Sequence, residues 1–190
     1  MIYELLIELD RIEPKVWRRV RVDSETSMRD FHHILQLTMG WENCHLYCFS
    51  TEDEKITQIE FLETDDFLED HEHSLSEFLS EVGDTIVYTY DFGDDWRHNI
   101  RLEKVLDADE EQIPRCLEGK RNAPPEDVGG VPGYENFIEI IADPRLPEYD
   151  EMIDWYGGVY DPEEFRLAIV NEDLEALDDY IDSLDEDWLY

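Results

Sequence analysis

Apolar and polar positions alternate from the second residue onward. Tyr3, Leu5, Ile7 and Leu9 fall on one side, with Glu4 and Glu8 on the other. That is the period of a half-buried strand. Pro14 interrupts it. Val16, Arg18, Val20 and Val22 then alternate with Trp17, Arg19 and Arg21, which predicts a second strand antiparallel to the first. The period changes after Ser27-Met28-Arg29-Asp30, a capping-box-like start with Asp in place of Glu. Phe31, Ile34, Leu35 and Thr38 recur at helical spacing, and Gly40 stands where a left-handed C′ residue belongs. Residues 28–39 therefore read as an amphipathic helix. Leu46 to Ser50 and Lys55 to Phe61 predict two further strands. Strand, strand, helix, strand, strand is a β-grasp-like ββαββ opening, and the expected fold class is α+β with an antiparallel or mixed sheet.

Residues 62–84 are acidic and loop-like, with a helical turn at Glu77-Phe78-Leu79. Ile86, Tyr88, Tyr90 and Phe92 alternate with Val87, Thr89 and Asp91. After Gly93-Asp94-Asp95 the pattern resumes, with Trp96, His98, Ile100 and Leu102 against Arg97, Asn99, Arg101 and Glu103. This predicts a central β-hairpin. Residues 113–131, rich in Pro and Gly, read as a long ordered loop, and such loops inside compact domains are often functional. A helical C-terminal third follows. Tyr134, Phe137, Ile138 and Ile141 form one stripe that ends at Asp143-Pro144, and a second segment runs from Pro147 to Gly157-Gly158. Asp161-Pro162-Glu163-Glu164 reads as the start of a last helix, with Asp as N-cap and Pro at the first helical position. The expected organisation is one domain over 1–175 and an acidic helical tail over 176–190.

Charge narrows the partners. The 190 residues hold 15 Lys and Arg against 51 Asp and Glu, a net charge of −36. Affinity for nucleic-acid backbones comes from basic residues that displace counterions, so nucleic acid is an unfavoured partner. Anionic membrane surfaces are disfavoured for the same reason. The acidity fits solubility in a salty cytoplasm, or a surface that mimics DNA and docks a basic protein. The acidic, alternating N-terminus does not resemble a signal peptide, and no apolar run is long enough to span a membrane. Three cysteines, Cys44, Cys48 and Cys116, give no disulfide framework. The expectation is a soluble cytoplasmic protein.

Two segments concentrate chemistry. Asp91, Asp94, Asp95 and His98 lie in and beside the hairpin turn, and Glu126 and Asp127 lie in Pro124-Pro125-Glu126-Asp127-Val128-Gly129-Gly130. Carboxylates with an imidazole suit a divalent metal, which can activate water. Asp91, Asp94, His98 and Glu126 are the candidate ligands, and the whole set of six are candidates for catalysis. Each also has a structural reading. Asp is ordinary at a tight turn, and His98 shares the apolar face of its strand. Arg18, Arg19, Arg97 and Arg101 can pair with these carboxylates and turn the cluster into an ion-pair network. Cys44-His45 and Cys48 hint at zinc but supply too few ligands. His32 and His33 fall on the first helix, and His71 and His73 in the acidic stretch. Asp91-Phe92-Gly93 matches the kinase metal triplet without the other kinase motifs.

The ordered set Trp17-Arg18-Arg19, Met39-Gly40-Trp41, His45-Leu46, Tyr90 through His98, Cys116-Leu117-Glu118-Gly119, Pro124 through Gly130, Gly133-Tyr134, Asp143-Pro144 and Asp161 through Phe165 resembles the plasmid pRiA4b ORF-3-like family. The resemblance covers about residues 2–175. It implies a single α+β domain of bacteria and archaea, often near mobile elements, without assigning an activity. Some relatives carry the label of a transposon resolvase. The chain offers no activated Ser among arginines and no basic DNA-binding surface to support that label. Relatives place Cys at the positions of Ala123 and Val128, so a thiol metal site shared with Cys116 is incomplete here. The expectation is a binding or interaction module with a protein partner. The alternatives are a metal-dependent hydrolase or nuclease at the 91–98 turn and an acidic mimic of DNA.

Overall fold

The computed structural model describes residues 1–58, 67–107 and 113–187. Eight strands form one open, mixed sheet. They are β1 (Ile2–Leu9), β2 (Trp17–Asp23), β3 (Tyr47–Ser50), β4 (Lys55–Thr57), β5 (Leu68–Glu69), β6 (Thr85–Tyr90), β7 (Trp96–Leu106) and β8 (Arg115–Lys120). The spatial order is β5-β4-β3-β6-β7-β1-β2-β8. Every neighbouring pair is antiparallel except β4 with β5. The α+β class and the central hairpin match expectation. The opening elements follow in the expected order, and β6 and β7 insert between β3 and β1. The hairpin thereby becomes the middle of the sheet.

Helix α1 (Met28–Met39) covers one face. Ser27 caps it by accepting from the Asp30 N–H, and Gly40 closes it at φ 75°. Phe31, Ile34 and Leu35 are buried against a face built in register. Leu5 lies between Val20 and Leu102, Ile7 meets Ile100, and Tyr88 and Tyr90 meet His98 and Trp96. The period-2 pattern thus becomes one continuous apolar surface. The opposite face is a lattice of charge. Glu4 stands between its register partners Arg21 and Lys104 and bonds both, and these cations hold its carboxyl below the usual range despite burial.

The expected loop over 113–131 contains β8. Only Cys116 of this strand is fully buried, so its alternation is hidden among Arg115, Glu118 and Lys120. β8 pairs with β2 and closes that end of the sheet. On its outer side the Asn171 carboxamide accepts from the Cys116 N–H at 2.8 Å and donates to the Cys116 carbonyl at 2.9 Å. The expected helical turn near residue 78 is α2 (Leu75–Phe78), with a Ser74–Glu77 capping box. The outer part of the expected fourth strand, 59–61, lies outside the described residues.

The remaining helices are α3 (Gly130–Ile141), α4 (Tyr149–Tyr156), α5 (Leu167–Glu175) and α6 (Leu177–Asp187). The helix expected to begin at Asp161 begins at Leu167. Asp161 caps only a turn, accepting from the Glu163 N–H. Arg166 then leaves helical geometry at φ −105°, ψ 79°, with the neighbouring Phe165 ring under Arg18 at 4.3 Å. In α6, Leu177 is buried and Tyr180 meets the His33 ring edge-on, so the acidic tail packs on α1. No helix among the described residues is long and apolar enough to cross a membrane.

Candidate metal centre

Three segments distant in sequence meet at one end of the hairpin. The first is the loop after α1. Gly40 turns the chain, and the Trp41 indole N–H donates to the Pro124 carbonyl at 2.8 Å. Asn43, at φ 55°, is fixed by Gln36 and His32. Cys44 and His45 follow. The second segment is the hairpin turn. Asp91, at φ 54°, accepts the Gly93 N–H through Oδ1. Its other carboxylate oxygen is free to face His45. The third is the 124–130 loop, tied down because Gly129 donates to Asp94 Oδ2 at 3.0 Å. At Gly130 (φ 66°) an added Cβ would stand 2.6 Å from the Asp94 carbonyl oxygen. Only glycine permits that approach. The two sequence segments singled out for chemistry therefore touch.

The side chains that converge are His45, Asp91, Glu126 and Asp127, with Cys44 beside them. His45 Nε2 lies 3.8 Å from Asp91 Oδ2, 4.0 Å from Glu126 Oε2 and 3.1 Å from Asp127 Oδ1. Glu126 Oε1 accepts from the Glu42 N–H at 3.0 Å and from the Tyr90 hydroxyl at 2.9 Å, and Tyr90 in turn accepts from the Cys44 N–H. This relay fixes one oxygen and aims the other. Glu126 Oε2 and His45 Nε2 are both buried without a hydrogen-bond partner. Burial pushes the Glu126 carboxyl up, and the negative charge of Asp127 adds to it. Burial also raises the Cys44 thiol, with further contributions from Glu126 and Asp127. Ligand atoms of His45, Asp91 and Asp127 lie within 4.8 Å of one another, as do those of Cys44, His45 and Glu126.

The other sequence candidates have different employment. His98 is fully buried in the core. Its Nδ1 faces the Tyr88 carbonyl at 3.3 Å, and the ring meets Trp41 edge-on at 5.2 Å. Burial lowers its pKa to about 4. It falls in none of the groups of neighbouring ligand atoms among the described residues, and the imidazole that meets the acids is that of His45. Asp94 ties the two loops together. Asp95 forms ion pairs with Arg97 and Arg11, both at 2.9 Å. Of the four arginines expected to pair with the cluster, only Arg97 meets one of its acids. Arg19 and Arg101 both reach Glu103 on the charged face. Arg18 is buried among backbone carbonyls of Thr38, Trp17 and Lys120. Asp91, Glu126 and Asp127 have no Lys or Arg partner among the described residues. Cys48 sits on β3, where its thiol donates to the Phe49 carbonyl. Cys116 is buried, with its pKa raised to about 11. Of the Cys-x-x-x-Cys pair, only Cys44 reaches the centre. His71 and Asp70 belong to a separate group in which Arg29 and Tyr47 satisfy the buried Asp70.

The loop that holds Glu126 and Asp127 and the turn that holds Asp91 are also the most distinctive motifs of the chain. The profile of the plasmid pRiA4b ORF-3-like protein family matches residues 1–168. The chain belongs to this family. A similar protein is the uncharacterized protein y4hQ of Sinorhizobium fredii. It is 35% identical over 178 residues, spanning 93% of this chain and 92% of that protein. The fold is similar to the crystal structure of the protein of unknown function MM3350 from Methanosarcina mazei Go1. That match has a TM-score of 0.80 and 35% identity, and covers 88% of this chain and 96% of the other.

Proposed function

We propose that this pRiA4b ORF-3-like protein binds a divalent transition metal at His45, Asp91, Glu126 and Asp127. The observation that supports the reading is the convergence on His45 Nε2 of Asp127 at 3.1 Å, Asp91 at 3.8 Å and Glu126 Oε2 at 4.0 Å, with neither His45 Nε2 nor the buried Glu126 Oε2 making a hydrogen bond. Leaving such polar atoms unsatisfied costs about 1–3 kcal/mol each. Nearby carboxylates without cations add repulsion, and a metal reverses both terms. Imidazole nitrogen with carboxylate oxygen suits zinc, manganese or iron better than calcium or magnesium, and Cys44 adds a soft donor. Asp127 is mostly exposed, so the centre opens to solvent. An open position is the mark of water-activating rather than structural metals, which brings the reading to a metal-dependent hydrolase. The charge of −36 disfavours polyanionic substrates, and the nuclease alternative with them. Free cysteines at 44, 48 and 116 accord with the reducing cytoplasm.

Titration of chelator-treated protein with zinc and manganese, read by calorimetry, tests the proposal. One equivalent should bind, and His45→Ala should weaken binding at least about tenfold while His98→Gln leaves it intact. Absence of binding, or equal binding by the His45 variant, would end the reading.

A further inference from the structure

Beside the centre, on the far side of Asp127, the surface is hollow. A cleft of about 550 Å³ runs between the 122–127 loop and the end of α4, and Trp155 forms part of its wall. A second hollow, of about 380 Å³, continues it between α3 and α4. Asp127 and Trp155 line both, so the two hollows adjoin along one groove-like surface. Trp155 is 48% exposed and Tyr156 38% exposed. Both rings rest on Phe137, at 5.8 and 6.0 Å between centroids, which holds them in place. Glu42, Glu126 and Asp127 supply charge to the first hollow, and Glu148 and Glu151 to the second. No Lys or Arg among the described residues lines either.

Fixed aromatic faces beside carboxylates, with no competing cation, are the chemistry that recognises guanidinium and ammonium groups. Contiguous exposed apolar surface marks interaction sites, and Trp155 and Tyr156 lie side by side on Phe137. We infer that this groove docks a basic segment of a partner protein, with successive Arg or Lys side chains entering its two hollows. Two hollows in series, each with its own carboxylates and a shared Trp wall, fit an extended polypeptide better than a single small cation. The acidic field of the whole molecule steers such a segment inward and weakens with salt. The inference goes beyond the metal reading; the two share Glu126 and Asp127 in the first hollow, whereas Glu148 and Glu151 of the second belong to the groove alone.

A fluorescent peptide of alternating Arg and Ala, titrated by anisotropy with chelator present and again with manganese, provides the test. Binding in chelator separates the groove from the metal centre, because all its carboxylates are then uncoordinated. Trp155→Ala leaves net charge unchanged and should weaken the peptide about tenfold. The pair Glu148→Gln and Glu151→Gln should weaken it more than Asp178→Asn with Asp182→Asn, an equal charge loss on α6, which lines neither hollow. Circular dichroism checks each fold, and the surface Gln pair decides the matter should the Trp variant misfold. Equal losses from the groove and α6 pairs would reduce the effect to bulk charge and overturn the proposal. So would no peptide binding, or spermine binding with the same Trp155 dependence and tighter than the peptide.

Discussion

Acid should weaken this protein through His98, by an amount that the structure defines. The ring is fully buried between Trp41 and Tyr88. Burial is the main cause that lowers its pKa from 6.5 to about 4, and the positive charge of Arg18 adds to it. The unfolded chain therefore takes up a proton before the folded one does. The stability that depends on neutral His98 is intact above pH 6.5, declines as the pH falls towards 4, and is lost below that. At about pH 5 the unfolded imidazole is almost fully protonated and the folded one almost fully neutral, which corresponds to a loss of about 2 kcal/mol, rising to about 3 kcal/mol at lower pH. Gln at position 98 carries no titrating group and keeps a donor for the Tyr88 carbonyl. Urea unfolding of the wild type and of His98→Gln, followed by tryptophan fluorescence at about pH 8 and about pH 5, measures the difference. The wild type should lose about 2 kcal/mol more than the variant over that interval. His32, also buried with a lowered pKa, and the many carboxylates are common to both proteins and cancel. Parallel pH profiles would refute the reasoning, since they would mean that the folded state protonates His98 as readily as the unfolded chain.

Two further substitutions probe the frame of the site and the core. Gly130→Ala places a Cβ against the Asp94 carbonyl at a positive φ and should cost about 2 kcal/mol in urea unfolding; a change below about 0.5 kcal/mol would count against the close approach of turn and loop. Arg18→Lys replaces a fork that serves three carbonyls with a single ammonium and should cost about 2 kcal/mol by the same assay, whereas an unchanged midpoint would show that those bonds contribute nothing net.

Elements with a single strong period were legible in the sequence. Helix α1 has its cap at Ser27 and its stop at Gly40, and the hairpin of β6 and β7 alternates without interruption. β8 was not legible because an edge strand with one buried side chain lacks a face to alternate. The start of α5 misled because Asp161-Pro162 has the chemistry of a helix cap, while tertiary contact of Phe165 with Arg18 draws the chain out of helical geometry. Of the side chains that meet His45, Asp91, Glu126 and Asp127 stand out in the sequence by their density of carboxylates and glycines. His98 is near these acids in sequence, yet strand alternation puts it on the apolar face, where it is buried. His45 belongs to the cluster through a meeting of loops that no local pattern encodes. Its signals in the sequence are a Cys-His pair following Gly40-Trp41 and the His45-Leu46 motif of the family resemblance.

An open sheet has two rims, and each invites another molecule to add a strand. At one rim β5 is only two residues long and offers little to copy. At the other, the Asn171 amide occupies the Cys116 backbone as a neighbouring strand would, with one donor and one acceptor. A helix thereby lends a single false rung to the ladder and stops it from growing. One carboxamide already sits where an intruding strand would begin.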